Sequence, residues 1–145
     1  MKKYVVDASV VLTGILENQK TVVDEVREYF VQAEGNKLEL YSSSFLKMEV
    51  CNGLRFNEKD LSKSTKLLSV FFKLPIKFID FNHALYEESL STSYKLNATV
   101  YDTSYHILAK AHNAVFLTCD EEYYKKAKDL GDIELIADFE KTLDF

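Results

Sequence analysis

The sequence predicts an α/β fold with a mostly parallel sheet, built as one domain. Five short strand-like segments alternate with segments whose apolar residues recur at helical spacing, and this alternation is typical of a parallel sheet flanked by helices. The chain has 145 residues, a length usual for one domain of about 100–200 residues. We therefore treat residues 1–145 as a single domain.

Each predicted strand is a short segment rich in apolar residues. Leu38 and Leu40 alternate with charged neighbours, as in a strand with one buried face, whereas Val5 and Val6 form a continuous β-branched pair. The predicted strands are residues 3–6, 38–40, 76–78 (extending at most to Asp80), 114–118 and 133–136.

Capping residues delimit the helices between these strands. Ser, Thr, Asn or Asp stands at the expected N-cap positions, and Gly, Asn or Pro stands near the expected ends. Thr21 and Asp24 resemble a capping box at the second helix. The predicted helices are residues 8–17, 22–33, 45–56, 61–74, 82–95, 100–112 and 121–130.

Composition excludes several classes of protein. With 47% hydrophobic and 28% charged residues, the chain differs from a disordered one, which combines low hydrophobicity with high net charge. No apolar run reaches the roughly 18–20 residues that a membrane span requires. Asp7 interrupts the apolar start, so a signal peptide is not expected and the predicted location is cytoplasmic. Two cysteines and three dispersed histidines indicate neither a disulfide framework nor a zinc site.

The net charge of −5 argues against a general nucleic-acid binder, which usually has a basic surface. The objection weakens if carboxylates bind metal, because two divalent cations would offset about four of these charges.

Two aspartates directly follow predicted strands. Asp7 follows the first and Asp120 the fourth, and ligands of open α/β sheets bind at the carboxyl ends of strands. If these strands are neighbours, the two carboxylates meet in one crevice. The alternative for each is a helix N-cap.

Glu49 lies on the predicted helix 45–56, inside an apolar arc. A buried carboxylate is costly unless it is paired or binds metal. The alternative is a hydrogen bond to a serine or to a backbone group. The arc consists of Phe45, Leu46, Met48, Val50, Leu54 and Phe56, opposite Lys47, Cys51 and Arg55.

Asp102 lies in the first turn of the helix predicted over residues 100–112, at the edge of its apolar stripe. An acidic residue is also favourable there as a partner of the helix dipole, which is the alternative explanation. The stripe consists of Val100, Ser104, Ile107, Leu108 and Ala111.

Several carboxylates in one crevice indicate a hard divalent cation. Two bare charges about 4 Å apart repel by about 4 kcal/mol at an effective dielectric constant of about 20. Ligation by carboxylates without histidine suits Mg²⁺ or Mn²⁺. The reaction class this predicts is metal-assisted hydrolysis of phosphodiester bonds.

Other catalytic motifs are missing. The sequence has neither a glycine-rich phosphate loop nor a Gly-x-Ser-x-Gly elbow. Ser9 stands where an Asp-x-Asp phosphatase would need its second aspartate. Cys119 has an acidic neighbour, which disfavours a thiolate, so we interpret it as a packed strand residue rather than a nucleophile.

The sequence resembles the PIN domain family, and VapC-type toxins in particular. The run from Val5 to Ser9 matches the family's apolar strand, Asp and following Ser or Thr, and Glu49 falls in the helical region that carries its Glu. The run from Tyr101 to Ala109 matches Tyr-Asp-Ala-x-Tyr-x-x-Leu-Ala, and the run from Thr118 to Asp120 matches Thr-x-Asp.

The resemblance implies a five-stranded parallel sheet in the order 3-2-1-4-5 and one or two Mg²⁺ or Mn²⁺ ions. It also implies an RNA substrate, a homodimer and a small antitoxin protein that covers the groove. The protein would be a metal-dependent endoribonuclease, the toxin of a type II toxin–antitoxin pair. Carried over by position, the metal ligands and catalytic residues would be Asp7, Glu49, Asp102 and Asp120, supported by Ser9 and Thr118.

Some features depart from the family pattern or leave alternatives open. Thr103 replaces the usual small Ala, and whether Glu121 or Glu122 provides a fifth acid stays open. The alternatives are a PIN nuclease of RNA maturation and a non-catalytic module that binds RNA or protein. The presence of all four acids disfavours the second alternative.

Overall fold

A computed structural model describes residues 1–16 and 22–137. Five parallel strands form a single sheet in the order β3-β2-β1-β4-β5, which confirms the predicted fold class and strand order. Glu17, the predicted end of the first helix, and Thr21 of the predicted capping box lie outside these residues. The strands are β1 (Lys2–Val6), β2 (Leu38–Ser43), β3 (Ile76–Ile79), β4 (Val115–Thr118) and β5 (Ile133–Leu135).

Helices connect the strands, and most of their starts agree with the capping residues in the sequence. Ser44 is an exception, because it precedes the third helix without a side-chain capping bond. Asp60, Asn82 and Thr99 each accept a hydrogen bond from a backbone N–H in the first turn of the following helix. Asn97 ends the fifth helix in the left-handed conformation, with φ of 52°. Within the described residues the helices are α1 (Ala8–Ile15), α2 (Val22–Glu34), α3 (Phe45–Asn57), α4 (Leu61–Lys73), α5 (His83–Leu96), α6 (Val100–Ala111) and α7 (Glu121–Ala127), with a 3₁₀ turn at Lys128–Leu130.

The strand register brings the first and fourth strands together at their carboxyl ends. Val6 of β1 pairs with Leu117 of β4, and Val5 pairs with Tyr41 of β2. Asp7 follows Val6 directly, and Asp120 follows Leu117 after two further residues. The two aspartates therefore lie at the same edge of the sheet, where ligands of open α/β sheets bind.

The second strand is longer than its alternation predicted. Ser42 and Ser43 pair with Phe78 and Ile79 of β3, beyond Leu40, where the predicted strand ended. The Ser42 hydroxyl donates to the Val6 carbonyl at 2.6 Å. This bond satisfies a buried polar side chain, which lets a serine occupy a core strand.

The core lies on both faces of the sheet, as expected for parallel strands covered by helices. Val5, Val6, Phe116 and Leu117 come from its two central strands and are almost completely buried. No helix among the described residues is both long enough and apolar enough to cross a membrane.

The apolar arc predicted on α3 is only partly buried, which corrects the prediction. Leu46, Val50 and Leu54 face the core, whereas Phe45, Met48 and Phe56 are 39%, 74% and 77% exposed. The core side of α3 packs against α1 and α4, and this contact covers a narrower face than the whole apolar arc.

On α6 the buried face also differs from the predicted stripe. Val100 and Ala111 are exposed, and the buried residues run continuously from Thr103 to Ala109. Helix α6 packs against α5 and against strands of the sheet. The helix is therefore buried on more than one side, whereas the predicted stripe assumed that only one side is buried.

Candidate functional site

Asp7 is the most deeply buried acid of the site. Its side chain is 6% exposed and accepts hydrogen bonds from Ser9 Oγ at 2.6 Å, Val10 N at 3.1 Å and Thr118 Oγ1 at 2.6 Å. The bond from Val10 makes Asp7 the N-cap of α1. The capping alternative is therefore correct, and it coexists with a position inside the acidic crevice.

Ser9 and Thr118 form a hydrogen-bonded network that joins the ends of β1 and β4. Besides donating to Asp7, Ser9 Oγ accepts from the Cys119 backbone N–H at 2.9 Å. Thr118 Oγ1 accepts from the Asp120 backbone N–H at 3.1 Å. The network fixes the orientation of the Asp7 carboxylate and the start of the segment that carries Asp120.

Burial makes Asp7 hard to ionise in the metal-free protein. The pKa of Asp7 is raised from 3.8 to about 6, chiefly by desolvation and slightly by the charge of Asp102, against the lowering effect of its hydrogen bonds. A bound cation would favour the charged form of this carboxylate.

Glu49 projects from α3 and is partly buried. Its Oε1 accepts a hydrogen bond of 2.5 Å from the Tyr105 hydroxyl, rather than from the serine or backbone group considered as an alternative. Burial raises the pKa of Glu49, and the charge of Asp102 adds to this effect. Since Phe45 and Met48 are exposed, Glu49 lies at the border of the core rather than within a wide apolar arc.

Asp102 and Asp120 complete the group of four carboxylates, and both are partly buried. Asp102 lies in the first turn of α6, where its backbone N–H donates to Thr99 Oγ1 at 3.2 Å. Asp120 caps α7 by accepting from the Tyr123 backbone N–H at 3.1 Å. Burial and the charge of Asp120 raise the pKa of Asp102, whereas Thr99 and Lys126 lower it.

Electrostatic interactions link Asp102 with each of the other three acids. The charge of Asp102 raises the pKa of both Asp7 and Glu49, and Asp120 raises that of Asp102. In the described residues, no three His, Cys, Asp or Glu side chains already form a metal-binding group. The donor set nevertheless fits a hard divalent cation, because it consists of carboxylates that destabilise one another's charge.

A cavity of about 720 Å³ opens beside Glu49, which is the one acid of the four that lines it. Exposed aromatic rings of α3 and α6 border it, and the Phe45 and Tyr101 ring centroids lie 6.3 Å apart. The cavity is lined by Phe45, Met48, Glu49, Cys51, Asn52 and Tyr101.

Three residues that contribute to the site had no role assigned from the sequence. Tyr105 donates to Glu49, the Tyr123 backbone N–H donates to Asp120, and His106 forms a buried pair with Tyr123. Nδ1 of His106 lies 2.9 Å from the Tyr123 hydroxyl, and Nε2 lies 2.7 Å from the Gly131 carbonyl oxygen. The signal available for Tyr105 was its place three residues after Asp102, on the same face of a helix.

Thr103, the departure from the family pattern, fits its position. It is completely buried, and its hydroxyl donates to the Ser89 carbonyl of α5 at 2.8 Å. The buried hydroxyl is thereby satisfied. Glu121 and Glu122 lie in the first turn of α7, and a part for either as a fifth acid stays a prediction.

Solved structures with the same fold include three of microbial origin. A protein from Pyrobaculum aerophilum shares 21% identity with this chain and has a TM-score of 0.65. The alignment covers 98% of this chain and 92% of that protein. VapBC2 from Rickettsia felis, bound to a DNA fragment from its promoter, shares 18% identity over 93% and 98% of the two chains, with a TM-score of 0.66. VapC20 from Mycobacterium tuberculosis, a toxin that cleaves the sarcin–ricin loop, shares 9% identity over 91% and 98%, with a TM-score of 0.68.

The match of the sequence to a family model shows the family to which the chain belongs. A comparison with curated protein sequences finds no significant match. The family model for the PIN domain matches residues 4–129, a span that contains all four acids, most of β1 and the whole of β2, β3 and β4. The chain therefore belongs to the PIN domain family.

Proposed function

We propose that the protein is a Mg²⁺- or Mn²⁺-dependent endoribonuclease and the toxin of a type II toxin–antitoxin pair. The observation that carries this proposal is the group of four carboxylates around the buried, triply hydrogen-bonded Asp7. Membership of the PIN family and the likeness to VapC toxins support a nuclease in preference to other metal-dependent hydrolases.

In this proposal Asp7, Glu49, Asp102 and Asp120 hold the metal. A bound divalent cation would activate water and stabilise the charge that develops on the phosphate. Ser9 and Thr118 keep the Asp7 carboxylate in one orientation through their bonds of 2.6 Å. Asp102, a partly buried acid whose pKa is raised, can accept the proton that the attacking water loses.

The proposed partner is a small antitoxin protein. Solved structures of the same fold include toxin–antitoxin complexes from Rickettsia felis and Klebsiella pneumoniae. An antitoxin gene directly beside this one would favour the toxin role, whereas its absence would favour an RNA-maturation nuclease of the same fold.

We also propose a homodimer, and the apolar face of α5 supports it. Tyr86, Leu90 and Tyr94 recur every four residues and are 47%, 50% and 83% exposed. We expect Leu90→Asp to convert a dimer to a monomer, because it places a charge in the buried centre of the interface. Sedimentation velocity at micromolar protein concentration would measure this, with Leu61→Asp on α4 as the control. A monomeric parent protein, or an unchanged mass for Leu90→Asp, would contradict the proposed interface.

The metal site itself is tested by titrating Mn²⁺ into the partner-free protein in a calorimeter. We expect saturable binding in the parent and weak or no binding in Asp7→Asn and Asp102→Asn, because each variant removes one charged ligand. Asp24→Asn, on the exposed side of α2, is the matched control and should bind like the parent.

RNA cleavage in the presence of Mn²⁺ is then compared between the parent, the two site variants and the Asp24→Asn control. Loss of cleavage in the two site variants alone would support the nuclease. If the folded parent protein fails to bind Mn²⁺ at millimolar concentration, the metal-dependent mechanism is wrong and the non-catalytic module becomes the better explanation.

A further inference from the structure

Tyr105 is the one buried side chain that reaches Glu49 with a hydrogen-bond donor in the described part of the chain. The residue is 1% exposed, and its ring stacks on Phe116 of β4 with centroids 6.1 Å apart and planes at 16°. The hydroxyl donates to Glu49 Oε1 at 2.5 Å. Tyr105 thus connects the sheet, helix α6 and an acid carried by helix α3.

Glu49 needs such a contact more than the two acids that cap helices do. Asp7 and Asp120 cap helices and are held by backbone N–H groups, whereas Glu49 lies within α3, where the backbone N–H groups are engaged in helical bonds. Glutamate also has more side-chain freedom to lose than aspartate when it is held in one orientation. A single hydrogen bond from a rigidly packed ring therefore decides where this carboxylate points.

We propose that Tyr105 is a positioning residue, which orients the Glu49 carboxylate toward the cation shared with Asp7 and Asp102. This inference rests on the proposed metal-dependent function and extends it to a residue that is not itself an acid. The Tyr105 bond engages Oε1, so Oε2 is the oxygen that would hold a cation. Outer partners of metal ligands act in this way by fixing the ligand's orientation before the metal binds.

Tyr105→Phe tests the proposal with the loss of a single oxygen atom. The ring and its stacking on Phe116 are retained, so the variant should fold. We expect the Mn²⁺ dissociation constant to rise about 10–100-fold, the usual effect of removing an outer partner of a metal ligand. Tyr41→Phe is the matched control: Tyr41 on β2 donates to Glu39, so this variant also loses a Tyr–Glu bond, but outside the site.

A double-mutant cycle with Glu49→Ala distinguishes positioning from a general structural effect. If Tyr105 acts through Glu49, Tyr105→Phe should leave the weaker Mn²⁺ affinity of Glu49→Ala unchanged, because coupled residues are not additive. Urea unfolding of each variant verifies that the titrated proteins are folded.

Three outcomes would overturn the inference, and they can be told apart. Equal Mn²⁺ affinity of the parent and Tyr105→Phe shows that Glu49 needs no orientation, while the metal site itself stands. If Tyr105→Phe weakens Mn²⁺ binding as much in the Glu49→Ala background as in the parent protein, Tyr105 acts independently of Glu49. A parent protein that does not bind Mn²⁺ overturns the proposed function together with this inference.

Discussion

Asp7→Asn is expected to stabilise the metal-free protein at pH 7.5 by about 3 kcal/mol and, under the proposed function, to weaken Mn²⁺ binding. Burial raises the pKa of Asp7 from 3.8 to about 6, and each pKa unit corresponds to about 1.4 kcal/mol. The native state therefore binds a proton more tightly than the unfolded chain does, and stability falls as the pH rises from about 4 through about 6. Asn is uncharged and escapes this penalty.

Urea unfolding in the presence of a chelator, at pH 5 and at pH 7.5, measures the effect. The Asp7 contribution should make the parent less stable at the higher pH, and Asp7→Asn should remove that contribution. Asp24→Asn on the exposed side of α2 should keep the parent's pH dependence. A loss of stability on Asp7→Asn at pH 7.5 would show that the hydrogen bonds from Ser9 and Thr118 outweigh the burial of the charge.

His106→Leu is expected to destabilise the protein by about 2–6 kcal/mol, since it leaves two polar groups without their partner at about 1–3 kcal/mol each. His106 is completely buried, and its ring nitrogens contact the Tyr123 hydroxyl and the Gly131 carbonyl. Tyr123→Phe removes only the first contact, and we expect it to cost about half as much.

Chemical denaturation of both variants at pH 7.5 tests this expectation, with His112→Leu at the exposed end of α6 as the control. Burial lowers the pKa of His106, so the unfolded chain binds more protons below the ordinary pKa of about 6.5 and the His106 contribution falls as the pH drops. That pH dependence should vanish in His106→Leu. If His106→Leu is as stable as the parent protein, the buried pair of His106 and Tyr123 contributes little to stability.

Local signals in the sequence predicted the fold well. The N-caps Asp60, Thr99 and Asp120 and the left-handed Asn97 delimit helices because their side-chain and backbone preferences act within one turn of chain. The strand order came from the resemblance, since periodicity identifies strands but not their neighbours in the sheet.

The features that the sequence did not reveal depend on contacts between distant segments. Ser42 is tolerated in a buried strand because its hydroxyl donates a hydrogen bond to the Val6 carbonyl, 36 positions away in the sequence. Phe45 and Met48 are exposed because α3 meets its neighbours along a narrow face. The bond from Tyr105 to Glu49 spans 56 positions, and a helical pattern carries no information about a partner on another helix.

The hydrogen bond between Thr118 and Asp7 also has a consequence for the timing of protein synthesis. It joins residues 111 positions apart, and closing so long a loop requires β4 to be present and paired with β1. While Thr118 is still inside the ribosome, the nascent chain therefore lacks one of the hydrogen-bond donors of Asp7. Asp120, which follows Thr118, is also still absent from the folded part. The group of four acids is therefore complete only when most of the polypeptide has left the exit tunnel.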